Sequence, residues 1–179
     1  MKSILLAMLC TLGVLASCGL SEEQCTKADW GSIGKANGAN GRSSEYVKNH
    51  VKSCEKHGIS VNQSLWEQGR KEGLKYYCTA QNVYNQGRRG SELRNVCPSG
   101  DIANLQKANA KGLSYHQYSS EINDLEREQS DLRQQIWELK ETPDSPEIAS
   151  KISWLRSEIW RLDMRINRLE RLRRPYAIL

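Results

Sequence analysis

An all-α fold is predicted for this chain: a small disulfide-stapled, glycine-rich helical domain followed by an antiparallel coiled-coil hairpin. Three observations carry that prediction. Four cysteines, Cys25, Cys54, Cys78 and Cys97, fall together behind a short apolar leader. The glycines between them stand at helical spacings from aromatic residues. Beyond Tyr115, apolar residues recur at alternating intervals of three and four as far as Leu169, the seam period of two packed helices. The expected divisions are a signal peptide over 1–17, a tether over 18–24, a cysteine domain over 25–98, a linker over 99–114 and a helical hairpin over 115–174.

The leader is read from its order of residues. Lys2 precedes an uncharged run over 4–15, which has the length of a signal-peptide apolar region and is too short for a transmembrane helix. The run ends in Leu15-Ala16-Ser17-Cys18. This resembles the lipobox of bacterial lipoproteins, which implies cleavage before Cys18 and diacylglyceryl and fatty-acyl groups on that cysteine. No other cofactor is expected. Two or more acyl chains anchor a protein stably where one does not, so a membrane is the first expected partner. Gly19 follows the cysteine where an aspartate could stand. By similarity to enteric lipoproteins this favours the outer membrane, with the chain facing the periplasm of a bacterial cell envelope.

Composition sets further bounds. Aromatics make up 7% of the residues with no Phe, and mean hydropathy is -0.68, so a large buried core is not expected. Of the six cysteines, Cys10 leaves with the leader and Cys18 takes lipid. The remaining four form an even set in an exported protein, which reads as two disulfides in any of three pairings. A metal alternative exists, because His50, Cys54 and His57 lie at i, i+4 and i+7 on one helical face. The oxidising compartment competes for the thiol and no C-x-x-C is present, so no metal is expected.

The net charge of +5 is concentrated near the end. Arg161, Arg165, Arg168, Arg171, Arg173 and Arg174 face only Asp163 and Glu170 over 161–174. In the envelope the counter-charges would be lipid headgroups, lipopolysaccharide phosphates or an acidic protein rather than nucleic acid. The plainer reading is a helix end whose arginines complement its dipole.

Within the cysteine domain, Leu65-Trp66-Glu67-Gln68-Gly69-Arg70 and Val83-Tyr84-Asn85-Gln86-Gly87-Arg88 form a loose repeat, which Trp30, Gly34 and Gly38 echo. An aromatic three or four residues before a glycine shares its helix face. Gly69 and Gly73 make a smooth strip for another backbone, at about 1 kcal/mol per helical glycine relative to Ala. Ser43 is a candidate N-cap for a helix through His50 and Cys54, and Asn37-Gly38-Ala39-Asn40-Gly41 reads as a turn.

The order Cys25, Asp29, Trp30, Gly34, Gly38, Gly41, Cys54, Gly58, Gly69, Arg70, Gly73, Leu74, Tyr77, Cys78, Gly87, Gly90, Val96, Cys97, Pro98 resembles a domain-of-unknown-function family of bacterial envelope lipoproteins. Similar proteins often end in a helical coiled segment. Asn37 stands where the resemblance implies an acidic residue, and Arg94 where it implies an aromatic. No activity comes with the resemblance. The three histidines sit in no nucleophile signature, Asp29 and Asp101 offer only chance pairings with them, and the glycines lie in helical context rather than in a phosphate loop. An enzyme is not expected.

The hairpin seam is Tyr115, Tyr118, Ile122, Leu125, Gln129, Leu132, Ile136 and Leu139, answered by Ile148, Ile152, Leu155, Ile159, Leu162, Ile166 and Leu169. Pro143 and Pro146 break the helix between them, with Asp144 or Ser145 as the next cap. Fold-back brings Glu121 near Arg165, but also Glu126 near Asp163 and Arg133 near Arg156. Trp137, Trp154 and Trp160 lie off the seam, so they pack on the cysteine domain, a second copy, a partner protein or lipid. With Arg165, Arg168 and Arg171 they form the expected interaction face. The expected function is a non-catalytic scaffold or adaptor, self-associating or joined to an envelope partner. The alternative is a module that binds membrane or lipopolysaccharide through the arginine-rich end.

Overall fold

A computed structural model describes residues 20–179 of the chain. The expected signal peptide and the lipid site at Cys18 lie outside the described residues. Among the described residues every regular element is helical: α1 (Glu22–Thr26), α2 (Trp30–Ala39), α3 (Val47–Glu55), α4 (Gln63–Tyr77), α5 (Ala80–Arg88), α6 (Ile102–Lys140) and α7 (Pro146–Arg173), with 3-10 turns at Ser44–Tyr46, Ser99–Asp101 and Arg174–Tyr176. The helix starts follow from side-chain oxygens that accept otherwise unpaired amides. Ser21 and Gln24 form a capping box on α1, Asp29 caps α2, Asn62 caps α4 and Thr79 caps α5. Ser43 does not cap α3, because the 3-10 turn intervenes and its hydroxyl makes no such bond.

Two disulfides form, Cys25–Cys54 and Cys78–Cys97. The first pins α1 to α3 and lies in a core with Trp30, Val47 and Trp66. The second ties the end of α4 to the loop before α6, beside a core of Val83, Tyr84, Leu105 and Ala108.

Glycines decide how the helices meet. A Cβ on Gly34 would overlap the carbonyl oxygen of Trp66, and one on Gly38 that of Arg70; from the other side Gly69 meets Gly31 and Gly73 meets Lys35. Helices α2 and α4 therefore lie backbone against backbone, as the strip at Gly69 and Gly73 predicted. Helices α5 and α6 do the same, Gly87 against Asn109 and Gly112 against Tyr84.

The two pairs are copies of one arrangement. Gly38 and Gly41 close α2 with amide bonds from Gly41 to Gly38 and from Arg42 to Asn37; Gly87 and Gly90 close α5 with bonds from Gly90 to Gly87 and from Ser91 to Gln86. Gly41 (φ 65°) sits over the Tyr77 ring and Gly90 (φ 80°) over the His116 ring. The structure thus matches α2 with α5 and α4 with α6, whereas the sequence similarity of 65–70 to 83–88 matched α4 with α5. Both readings respond to an aromatic-glycine spacing that all these helices share. The stretch 99–114, expected as a linker, is the 3-10 turn and the opening of α6, with Leu105, Ala108, Asn109 and Gly112 buried. The helical unit therefore runs into α6 without a joint.

From Tyr115 onward α6 packs antiparallel to α7, around Ile122, Leu125, Leu162 and Leu169. Gln129 donates to the Ile159 carbonyl (3.1 Å) and to Asp163 (2.6 Å), and Arg165 pairs with Glu121 at 2.7 Å. Ser145 caps α7 and Pro146 occupies its first turn, where a missing amide costs nothing. The base is tied to the helical unit: the Tyr84 hydroxyl donates to the Tyr176 carbonyl (2.6 Å), and Arg88 and Arg173 stack on the Tyr115 ring at 4.1 and 5.4 Å.

Candidate functional site

The most connected side-chain cluster of the helical unit is Asn37, His50 and Trp66. The Asn37 amide oxygen accepts the Trp66 indole N–H at 3.0 Å and lies 2.8 Å from His50 Nε2. An amide oxygen only accepts, so His50 carries its proton on Nε2. Trp30, Tyr46 and Trp66 surround the imidazole at 5.9, 5.4 and 6.2 Å between ring centres. Burial there holds the His50 pKa below the usual imidazole value, because the charged form loses water. An acidic residue at 37 would face the same two donors. Asparagine meets them without adding a buried charge.

This placement disperses the His50–Cys54–His57 trio. Cys54 is oxidised onto Cys25, His50 faces Asn37 and His57 stands 4.0 Å from Glu22. Among the described residues no group of three or more His, Cys, Asp or Glu is placed to hold a metal ion. Asp29 is occupied as a cap, and the Ser32 hydroxyl and amide lower its carboxyl pKa. Asp101 accepts from Asn104.

Among the polar residues of the helical unit, buried Arg70 and Asn109 and exposed Arg94 have bonding work that the sequence pattern alone does not assign. Arg70 donates twice to Glu67 at 2.7 Å and once to the Arg42 carbonyl at 3.1 Å, and its guanidinium holds the Glu67 carboxyl pKa down. Asn109, 4% exposed, donates to the Val83 and Ser91 carbonyls and accepts from the Leu93 amide. Arg94 donates to the Asn40 and Gly41 carbonyls, so it joins the end of α2 to the loop between α5 and α6. Spacing could have found Asn109, since it falls at i+4 from Leu105 and three before Gly112. A cleft of about 760 Å³ lies where the pairs meet, with Leu74, Cys78, Val96, Cys97 and Leu105 among its walls.

On the hairpin the three off-seam tryptophans remain in water: Trp137, Trp154 and Trp160 are 60%, 57% and 63% exposed. None packs on the helical unit. Nor do they share one face. Spacing from Arg133, Arg156 and Asp163 puts Trp137 and Trp160 on one flank. Trp154 stands on the opposite flank with Arg161, Arg165 and Arg168, the side marked by the Glu121–Arg165 pair. Arg171 lies on the outer back of α7 beside the exposed Met164. Arg173 is used on Tyr115 and Ser119. The expected single interaction face is therefore two faces, because residues six apart on a helix point well apart.

No helix among the described residues is long and apolar enough to cross a membrane. No curated protein and no solved structure matches this chain. Residues 29–114 match the family model described as "Protein of unknown function (DUF2799)", so the part of the chain similar to that family is the paired-helix unit, from the cap of α2 into α6, and not the hairpin beyond it.

Proposed function

We propose that this chain is a bacterial envelope lipoprotein, anchored by lipid on Cys18 in the outer membrane and facing the periplasm, which works as a non-catalytic scaffold or adaptor through a coiled-coil hairpin. One observation carries the reading: three indoles stand more than half exposed on a hairpin whose own seam is already filled. Exposed indole surface is costly in water and is enriched where proteins bind one another. The base is held by Tyr84, Arg88 and Arg173, which suits a hairpin that presents a surface at a fixed angle. The arginine-rich end supports a lipopolysaccharide role less well, since Arg165 and Arg173 already serve Glu121 and Tyr115.

The test is a photo-crosslinking residue at Trp160 in living cells, with Trp137 as a second position on the same flank. The expected result is one distinct envelope protein captured from both positions in the membrane fraction. Adducts from neither position would contradict the adaptor role.

A further inference from the structure

The opposite flank of the hairpin is divided lengthwise by charge. Starting from Glu121 and stepping by three and four, α6 places Asp124, Glu128, Asp131 and Glu138 on the side that bonds Arg165. Stepping likewise from Arg165, α7 places Arg168, Arg161, Trp154 and Lys151 beside them, with Glu158 as the single acid in that row. Asp124 pairs locally with Arg127, and Arg161 with Glu158. The Asp124–Arg127 pair is exposed on both sides, and such pairs within a helix are weak and exchange readily; in the other pair Glu158 is 20% exposed while Arg161 keeps 65% of its side chain in water. The flank is thus an acidic row beside a basic row, both solvent-facing except at the half-buried Glu121 and Glu158.

We propose that a second copy of this chain docks on that flank, with its acidic row on the basic row of the first. The proposal rests on the reading of the hairpin as the interacting element and names its partner on this face. A two-fold axis along the hairpin brings α6 of each copy over α7 of the other. An axis across the hairpin would set acid on acid and base on base. The contact between Gln129 and Asp163 fixes the heights. Asp131 stands level with Arg161, and Asp124 with Arg168, each to within about 3 Å at 1.5 Å rise per residue. In the dimer Asp131 meets Arg161 of the other copy and Asp124 meets its Arg168, each contact occurring twice. Glu138 comes level with Trp154. Both helical units lie at the same end, so two copies anchored in one membrane can pair without turning over. The Trp137–Trp160 flank faces away from the second copy and stays open.

The test uses full-length chain released from detergent in native mass spectrometry, with Asp131→Arg and Arg161→Glu made separately. Both positions are exposed, and each variant has a distinct mass. The parent is expected as a dimer, and each single variant should lose at least ten-fold in dimer fraction. An equimolar mixture of the two should recover dimer as the mixed species, because each reversed charge then meets its complement across the interface. A monomeric parent, single variants that dimerise like the parent, or a mixture that stays monomeric would each overturn the proposal. Adducts at Trp160 report on the other flank, so loss of the dimer and loss of the adaptor role are read separately.

Discussion

Gly38 lies so close to Arg70 that a Cβ on the glycine would overlap the arginine's carbonyl oxygen. The obstacle is backbone and not the end of a flexible side chain, so the neighbouring helix has to move to admit it. Gly112 stands in the same relation to Tyr84, which makes the close approach the shared construction rule of both helix pairs.

Gly38→Ala and Gly112→Ala are therefore expected to destabilise the protein by at least about 2 kcal/mol each, since overpacking outweighs the gain in helix propensity of about 1 kcal/mol. Gly100, with nothing within 4 Å of a Cβ, is the control: Gly100→Ala should change stability by less than about 0.5 kcal/mol. Chemical denaturation of the three variants checks this. Equal stability across them would remove the backbone packing described.

Asn109 satisfies three backbone groups from a buried position. Asn109→Leu fits in volume but strands those groups away from water, at a cost of about 2–4 kcal/mol. Thermal unfolding should show the loss. A variant as stable as the parent would mean that the three groups find other partners.

His50 gives the helical unit a pH dependence with a definite sign. Its folded pKa is lowered by burial from an ordinary value of 6.5. As pH falls, the unfolded chain takes up the proton first. The stabilising contribution is therefore complete above the unfolded value and is lost as pH falls through it toward the folded value. Glu67, lowered from 4.5 by Arg70, works in the same direction but only at more acid pH. Melting temperature should fall as pH is taken from about 7.5 to about 5.5, and His50→Gln should flatten that slope. An unchanged slope in the variant would assign the dependence elsewhere.

Tryptophans separate folding from surface function. Trp66 is 1% exposed and bonded to Asn37, so Trp66→Ala should cost about 3–5 kcal/mol. Trp160→Ala removes a side chain 63% exposed and should leave stability within about 0.5 kcal/mol while weakening capture of a partner. A large loss of stability at Trp160 would show that the indole supports the fold.

The hairpin was legible because its rule is one-dimensional. Ile122, Leu125, Leu155, Leu162 and Leu169 are buried where a three-four spacing puts them, and Ser145 caps where the prolines break the helix. The cysteines announced their oxidation but not their partners, since pairing depends on which helices meet. That meeting is set by glycines whose spacing says that a helix can be approached closely without saying by which neighbour. The same limit hid the start of α6. Leu105, Ala108, Asn109 and Gly112 have a helical period, but they alternate with Lys107, Lys111 and other polar residues and find their reason only in Gly87 and Tyr84. Trp137, Trp154 and Trp160 were visible as off-seam residues, but their division between two flanks follows from helix angle. The role of Asn37 needed His50 and Trp66 beside it in space.

The anchor is tested most directly by growing cells with an alkyne-bearing palmitate and comparing the parent chain with Cys18→Ala. The parent is expected to take up the label and to sediment with outer membranes, and Cys18→Ala to lose both. An unlabelled parent in the soluble periplasmic fraction would contradict lipid anchoring, and with it the placement of the hairpin at a membrane.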